Sequence, residues 1–300
     1  MGATKDAKGR PLFKPMKPGT IASTAPFLDS HVHLDSIMKY AVGEDVAMAE
    51  FKRVCLDSGM FGGGFTGAVH VALAPDGIET SKELVRLHPD IIHPCWGVHP
   101  LNADRWTDDV GRDCAELVAD SHSVGWGECG LDYFYNTCPH DMQMSVFEKQ
   151  LRLASATGKP VVIHSRDAEE DTFTLMKKVL PDGYPIHLHC FTGSKEYAER
   201  MLSSFSGLKI GLTGTLTFRN ATHLREVAGR IIPPHRLLME TDGPFMAPVP
   251  FRGTISHPGL IPTIAAAVAD ARREFGTDPT ATVDSVLLET YNTAKEFYHI

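Results

Sequence analysis

Two histidines one residue apart, His31 and His33, close a strand-like segment that begins at Phe27. Alternate residues of a strand point to the same side, so both imidazoles can grip one cation from one wall. Alone the pair is weak evidence, because most such histidines are satisfied core residues or exposed ones. Four further groups strengthen it: Glu128, His164, His189 and Asp242 each close a short apolar or β-branched run. Imidazoles and carboxylates bind divalent cations, and six such donors exceed what one tetrahedral ion needs. They suffice for two ions that share a carboxylate, which is an arrangement for hydrolysis. His99, in Gly97-Val98-His99-Pro100, and Arg166, two residues after His164, stand at comparable run ends.

Residues so scattered can meet only if the fold gathers the ends of the runs. From about residue 25, strand patterns at 26–30, 65–72, 91–98, 123–128, 160–164, 185–189, 208–213 and 237–240 alternate with helical ones. In the helix expected over 141–157, Met144, Phe147, Leu151 and Ala154 recur at helical spacing, and Gly158 supplies the stop. Eight strand–helix units predict an α/β fold, a (β/α)8 TIM barrel, whose C-terminal rim collects strand-end side chains. A doubly wound open sheet is the alternative, but no GxGxxG turn follows the first strand to support its dinucleotide-binding form.

The net charge of −8 argues against a polycation that coats nucleic acid, so any such contact must be local. No apolar run approaches the roughly 18 to 20 residues that span a bilayer. Residues 1–24 carry Lys5, Lys8, Arg10, Lys14 and Lys17 against Asp6 alone, without the apolar stretch of a secretory signal. With Pro11, Pro15 and Pro18 they read as a flexible basic extension before a single catalytic domain at 25–300; organelle targeting and a nucleic-acid arm are lesser readings. The six cysteines form no CxxC pair, a pattern that suits reduced thiols in a cytoplasmic or nuclear compartment.

Six segments resemble, in order, the signatures of the TatD-type metal-dependent deoxyribonuclease family within the amidohydrolase-like barrels. They are Asp-Ser-His-Val-His-Leu-Asp (29–35), Gly-Val-His-Pro (97–100), Gly-Glu-Cys-Gly-Leu-Asp-Tyr (127–133), Val-Ile-His-Ser-Arg-Asp-Ala (162–168), His-Cys-Phe-Thr-Gly-Ser (189–194) and Leu-Met-Glu-Thr-Asp-Gly-Pro (238–244). The resemblance implies that His31, His33, Glu128 and Asp242 hold one metal, and that Glu128 bridges to a second held also by His164 and His189. It departs at two places: Leu101 follows the Gly-x-His-Pro where the family often has histidine, and Thr254-Ile255-Ser256-His257-Pro258 replaces a common Asn-Glu-Pro. The second change falls on the substrate-contacting loop.

The function so implied is an exodeoxyribonuclease that cleaves phosphodiester bonds of DNA through two divalent ions (Zn, Mn or Mg), with no organic cofactor. In that chemistry Glu128 positions the ions and Asp242 orients or deprotonates the attacking water. Arg166 contacts phosphate, and His99 contacts phosphate or protonates the leaving oxygen. Asp29 and Asp132 are read as supports of the site, His187 as a buried hydrogen-bonded residue, and His70 as a satisfied core or rim histidine. The alternative is an amidohydrolase or lactonase-like esterase acting on a small molecule with the same metal site. Glu128 stands where many such enzymes carry a carboxylated lysine.

Overall fold

The computed structural model describes residues 13–43, 47–135 and 137–300. Eight strands form one all-parallel sheet in sequence order. They are β1 (Phe27–Val32), β2 (Phe65–Leu73), β3 (Ile92–Gly97), β4 (Gly125–Asp132), β5 (Val161–Arg166), β6 (Ile186–Leu188), β7 (Leu208–Leu212) and β8 (Leu237–Met239). Between them run helices α1 (Leu34–Ala41), α2 (Ile78–Leu87), α3 (Asp108–Ala119), α4 (His140–Thr157), α5 (Glu169–Val179), α6 (Lys195–Ser204) and α7 (Thr222–Glu226). Helices α8 (Ile261–Glu274) and α9 (Val283–Tyr298) complete the chain. Between β8 and β1, Ser30 Oγ donates to the Met239 carbonyl at 2.9 Å and Asp242 N to the His31 carbonyl at 3.0 Å. The chain is a (β/α)8 TIM barrel.

The barrel interior is recognisable from which side chains meet. Leu28 of β1 and Val162 of β5 share one buried cluster with Val69, Val71 and Leu238, although β1 and β5 lie on opposite sides of the ring. Only inward-facing residues can meet in that way. Ala294, Phe297 and Tyr298 of α9 pack into the same cluster. A larger shell, which includes Phe147, Leu151, Met176, Met201 and Val268, packs the outer helices against the strands.

Helix α4 shows how the outer ring positions the rim. Its apolar spacing buries Phe147, Leu151 and Ala154, and it ends at Gly158 with φ 70°, a left-handed turn that glycine adopts without steric cost. Two buried glutamines on the same face were not signalled by that spacing. Gln150 accepts from Val98 N at 2.9 Å and donates to Val98 O at 2.8 Å, which pins the backbone immediately before His99. Gln143 accepts from Asp132 N at 2.8 Å and donates to Asp132 O at 3.0 Å, which pins the end of β4. Each buried amide thus satisfies strand-end backbone groups that run out of ladder partners.

Of the segment read as a flexible extension, residues 1–12 lie outside the described residues. Its next residues make defined contacts: Lys14 N donates to Gly253 O at 2.8 Å, and Ile255 N donates to Lys14 O at 3.1 Å. Phe13 packs edge-on against Tyr40 and Phe245, and Lys17 O lies 2.9 Å from His257 Nε2. The residues that replace the common Asn-Glu-Pro are therefore tied to the N-terminal segment. No helix among the described residues is long and apolar enough to cross a membrane.

Candidate metal centre

All six expected ligands meet at the C-terminal ends of the strands. His31 and Glu128 lie within β1 and β4 and His164 within β5; His33, His189 and Asp242 sit one to three residues beyond β1, β6 and β8. The strand patterns read over 185–189 and 237–240 are longer than β6 and β8, because the chain leaves the ladder where its side chains turn into the site. His31 and His189 stack with ring centroids 3.9 Å apart, and all six side chains are largely buried.

Glu128 divides the site. Its Oε2 lies 3.4 Å from His31 Nε2 and 3.6 Å from His33 Nε2, while Asp242 Oδ1 stands 3.8 and 3.5 Å from the same two nitrogens. Its Oε1 lies 2.6 Å from His164 Nδ1, 2.7 Å from His189 Nε2 and 3.5 Å from His99 Nε2. Two ligands on one tetrahedral ion with bonds of 2.0–2.1 Å stand about 3.3 Å apart. The His31–His33–Glu128–Asp242 set has nearly that spacing, longer than ordinary hydrogen bonds. His31 Nε2 and Glu128 Oε2 are buried without a hydrogen-bond partner among the described residues. Buried polar atoms left so are costly unless something binds them, so the donor set fits a divalent cation.

Neighbouring groups select which ring nitrogen of two candidate ligands is free to bind a cation. His33 Nδ1 lies 2.9 Å from Val71 O, which can only accept, so the ring proton sits there and the Nε2 lone pair faces Glu128 and Asp242. His164 Nε2 lies 3.1 Å from Asp132 Oδ2, which orients the ring and leaves Nδ1 as the atom available to a cation. His99 differs. Its Nδ1 accepts from Leu101 N at 3.1 Å, so in the neutral ring Nε2 carries the proton and points it at Glu128. That tautomer suits a hydrogen-bond donor at the edge of the site better than a ligand.

The site's charges are strongly coupled. Burial opposes the charge of Glu128, but His189 and His99 and the hydrogen bonds from His164 and His189 hold its carboxyl well below the usual range. Burial also disfavours protonated His33 and His164; for His33 Asp242 and Glu128 outweigh it, and for His164 Asp132 and Glu128, and both are raised to about 9. Burial and the charge of His189 push His31 down to about 3.

Arg166 follows His164 by two residues, so it leaves β5 on the same side. Among the described residues it makes a stack and no ion pair: its guanidinium carbon lies 3.9 Å from the centroid of the Phe134 ring and 5.2 Å from that of Tyr135. His70 is buried, bonded to Leu34 N and Ser81 Oγ, and His187 Nδ1 lies 2.6 Å from Tyr298 Oη. Asp29 accepts from the Thr241 hydroxyl at 2.5 Å and from Thr241 N at 3.1 Å, which holds the turn before Asp242.

Glu240 is the site residue that sequence reasoning passed over. It is fully buried, accepts from Cys190 N, and lies 2.7 Å from His187 Nε2 and 3.8 Å from His189 Nδ1. Burial raises its carboxyl to about 8. It stands between His189 and His187, whose other ring nitrogen meets Tyr298 of α9. The available signal was an acid two residues before Asp242, directly after an apolar strand.

Known proteins resemble this chain in sequence and in fold. Residues 28–299 match the family described as TatD related DNase. A human protein named 3'-5' RNA nuclease TATDN2 is 35% identical over 78% of this chain, and the match spans only 31% of the human protein's length. The metal-dependent hydrolase YcfH of Escherichia coli K12 is 34% identical over 79% of this chain and 85% of its own. The 3'-5' ssDNA/RNA exonuclease TatD of Rahnella is 37% identical over 67% of this chain and 77% of its own. Among solved structures, the TatD homologue YJJV of Escherichia coli superposes with a TM-score of 0.77 over 93% of this chain and 100% of its own; at 23% identity that likeness bears on the fold alone. The chain belongs to the TatD related DNase family.

Proposed function

We propose that the chain is a metal-dependent nuclease that hydrolyses phosphodiester bonds of DNA, releasing nucleotides from an end. One observation carries the reading: the two oxygens of Glu128 face two separate donor sets, His31 and His33 with Asp242 on one side, His164 and His189 on the other. Relatives named as nucleases of single-stranded DNA and RNA support the choice of bond. Divalent ions (Zn, Mn or Mg) held by these two sets would neutralise phosphoryl charge and lower the pKa of the attacking water.

The chain's own groups do the rest. Asp242, its carboxyl held low mainly by His33 against the cost of burial, orients the water and accepts its proton. His99 is kept neutral by burial and presents its Nε2–H to a phosphoryl oxygen. Arg166 meets the neighbouring phosphate. The chain is acidic overall, so binding depends on these local contacts. Six unpaired cysteines, five of them buried, favour action in a reducing compartment, cytoplasmic or nuclear.

The test is nucleotide release from end-labelled single- and double-stranded DNA with Mg²⁺, Mn²⁺ or Zn²⁺ and with chelator. Release requires metal, and Glu128→Gln or Asp242→Asn lowers it roughly a thousandfold or more, as expected for the loss of several kcal/mol of charge stabilisation. No cleavage with any metal, beside hydrolysis of a lactone or amide, would replace this reading by a small-molecule hydrolase.

A further inference from the structure

Immediately after β4 the chain exposes two aromatic rings in succession. Phe134 is 56% exposed and Tyr135 43%, in a molecule whose other aromatic side chains are mostly covered. The rings meet edge to face at 4.9 Å, and the Arg166 guanidinium covers part of the Phe134 ring. An exposed apolar pair is costly to leave in water, yet nothing in the fold of the described residues requires it.

The pair is mounted on the metal centre. Asp132 Oδ1 accepts from Phe134 N at 3.0 Å and from Tyr135 N at 3.1 Å, while Asp132 Oδ2 lies 3.1 Å from His164 Nε2. One carboxylate therefore holds both the backbone of the aromatic shelf and the ring of a candidate ligand. Gln143 in turn fixes Asp132 by its backbone. Arg166, paired in register with Asp132 across β4 and β5, completes the shelf with a fixed positive charge. A flat aromatic face beside a guanidinium and one side chain from a phosphate-cleaving site matches the chemistry of a nucleotide: base on the ring, phosphate on the cation.

We propose that Phe134 and Tyr135, with Arg166, form a base-stacking subsite that seats an unpaired nucleotide next to the scissile phosphate. Stacking accepts every base, so the subsite selects for unpaired ends and not for sequence. A base held in a duplex is already stacked and must fray before it reaches the shelf. The subsite rests on the nuclease reading above.

The test uses the full chain with metal and two single-stranded oligothymidylates, identical except that the nucleotide at the cleaved end is either intact or abasic. The ratio of kcat/KM for the intact over the abasic end reports what the base contributes, and its change in the aromatic variants reports stacking. Phe134→Ala/Tyr135→Ala lowers that ratio roughly tenfold or more, within the range for loss of one stacked base, and Phe134→Trp retains it. A ratio in the double variant within about twofold of wild type overturns the subsite, whatever happens to overall rate, while the nuclease reading stands. Failure of the wild type to cleave either oligonucleotide overturns the nuclease reading and the subsite with it.

Discussion

Glu128 Oε1 lies 2.6 Å from His164 Nδ1, while the other oxygen of the same carboxylate stands 3.4 Å from His31 Nε2. The first is a hydrogen-bond distance; the second nearly matches the spacing of two ligands on one ion, about 3.3 Å. The two halves of the centre are thus unequally prepared. An ion among His31, His33, Glu128 and Asp242 finds its donors already apart, whereas one at His164 and His189 must first break their contacts with Glu128. Calorimetric titration of the metal-free protein is expected to resolve two classes of site, the tighter one lost in His33→Ala. A single class of equal sites would show that the asymmetry has no energetic consequence.

Asp132 fixes the tautomer of His164, and its replacement separates that role from its hold on the backbone. In Asp132→Asn the amide oxygen can still accept from Phe134 N and Tyr135 N, but the NH₂ then confronts the His164 Nε2–H. Loss of such an orienting partner typically costs 10–100-fold in metal affinity. The expected result is that loss in a metal titration, with a lower thermal midpoint of the metal-free protein, whose protonated His164 loses its carboxylate partner.

Much of this centre was legible because strand-end residues announce themselves. His31, Glu128, His164, His189 and Asp242 each interrupt an apolar run, and a parallel barrel carries all such ends to one rim. What stayed hidden depends on partners far apart in sequence. His187 meets Tyr298 across 111 residues, and Glu240 lies beside His187. Gln143 and Gln150 sit on the buried face of α4 but break its apolar pattern, so periodicity treats them as exceptions. The contacts of Lys14 with Gly253 and Ile255 likewise join segments that no local signal connects.

Gly211 on β7 tests the hidden network directly. A Cβ there would collide with Glu240 Oε2 and with His187 Nε2. Gly211→Ala is expected to cost about 1–3 kcal/mol by overpacking, a fall of several degrees in the thermal midpoint. Because Glu240 neighbours His189, metal-dependent turnover should fall as well. Unchanged stability would mean that the His187–Glu240 pair is free to move aside.

Stability and metal affinity should respond to pH in opposite senses. In the metal-free site His33 and His164 are raised from 6.5 to about 9, against the pull of burial, by their carboxylate neighbours. The folded state then holds extra protons, so their contribution to stability is fully present below about pH 6.5 and is lost as pH rises through about 9. A bound cation needs those lone pairs free, so affinity rises over the same window. Thermal midpoints of the chelated protein should fall between about pH 6.5 and 9 while metal affinity increases; parallel trends would contradict the assignment.

The most direct measurement is anomalous diffraction from crystals loaded with Mn²⁺ or Zn²⁺. The expected result is two peaks on opposite sides of the Glu128 carboxylate, one within bonding distance of His31, His33 and Asp242, the other of His164 and His189. A single peak, or peaks that leave Glu128 out of both coordination spheres, would contradict the role of Glu128 as the bridge.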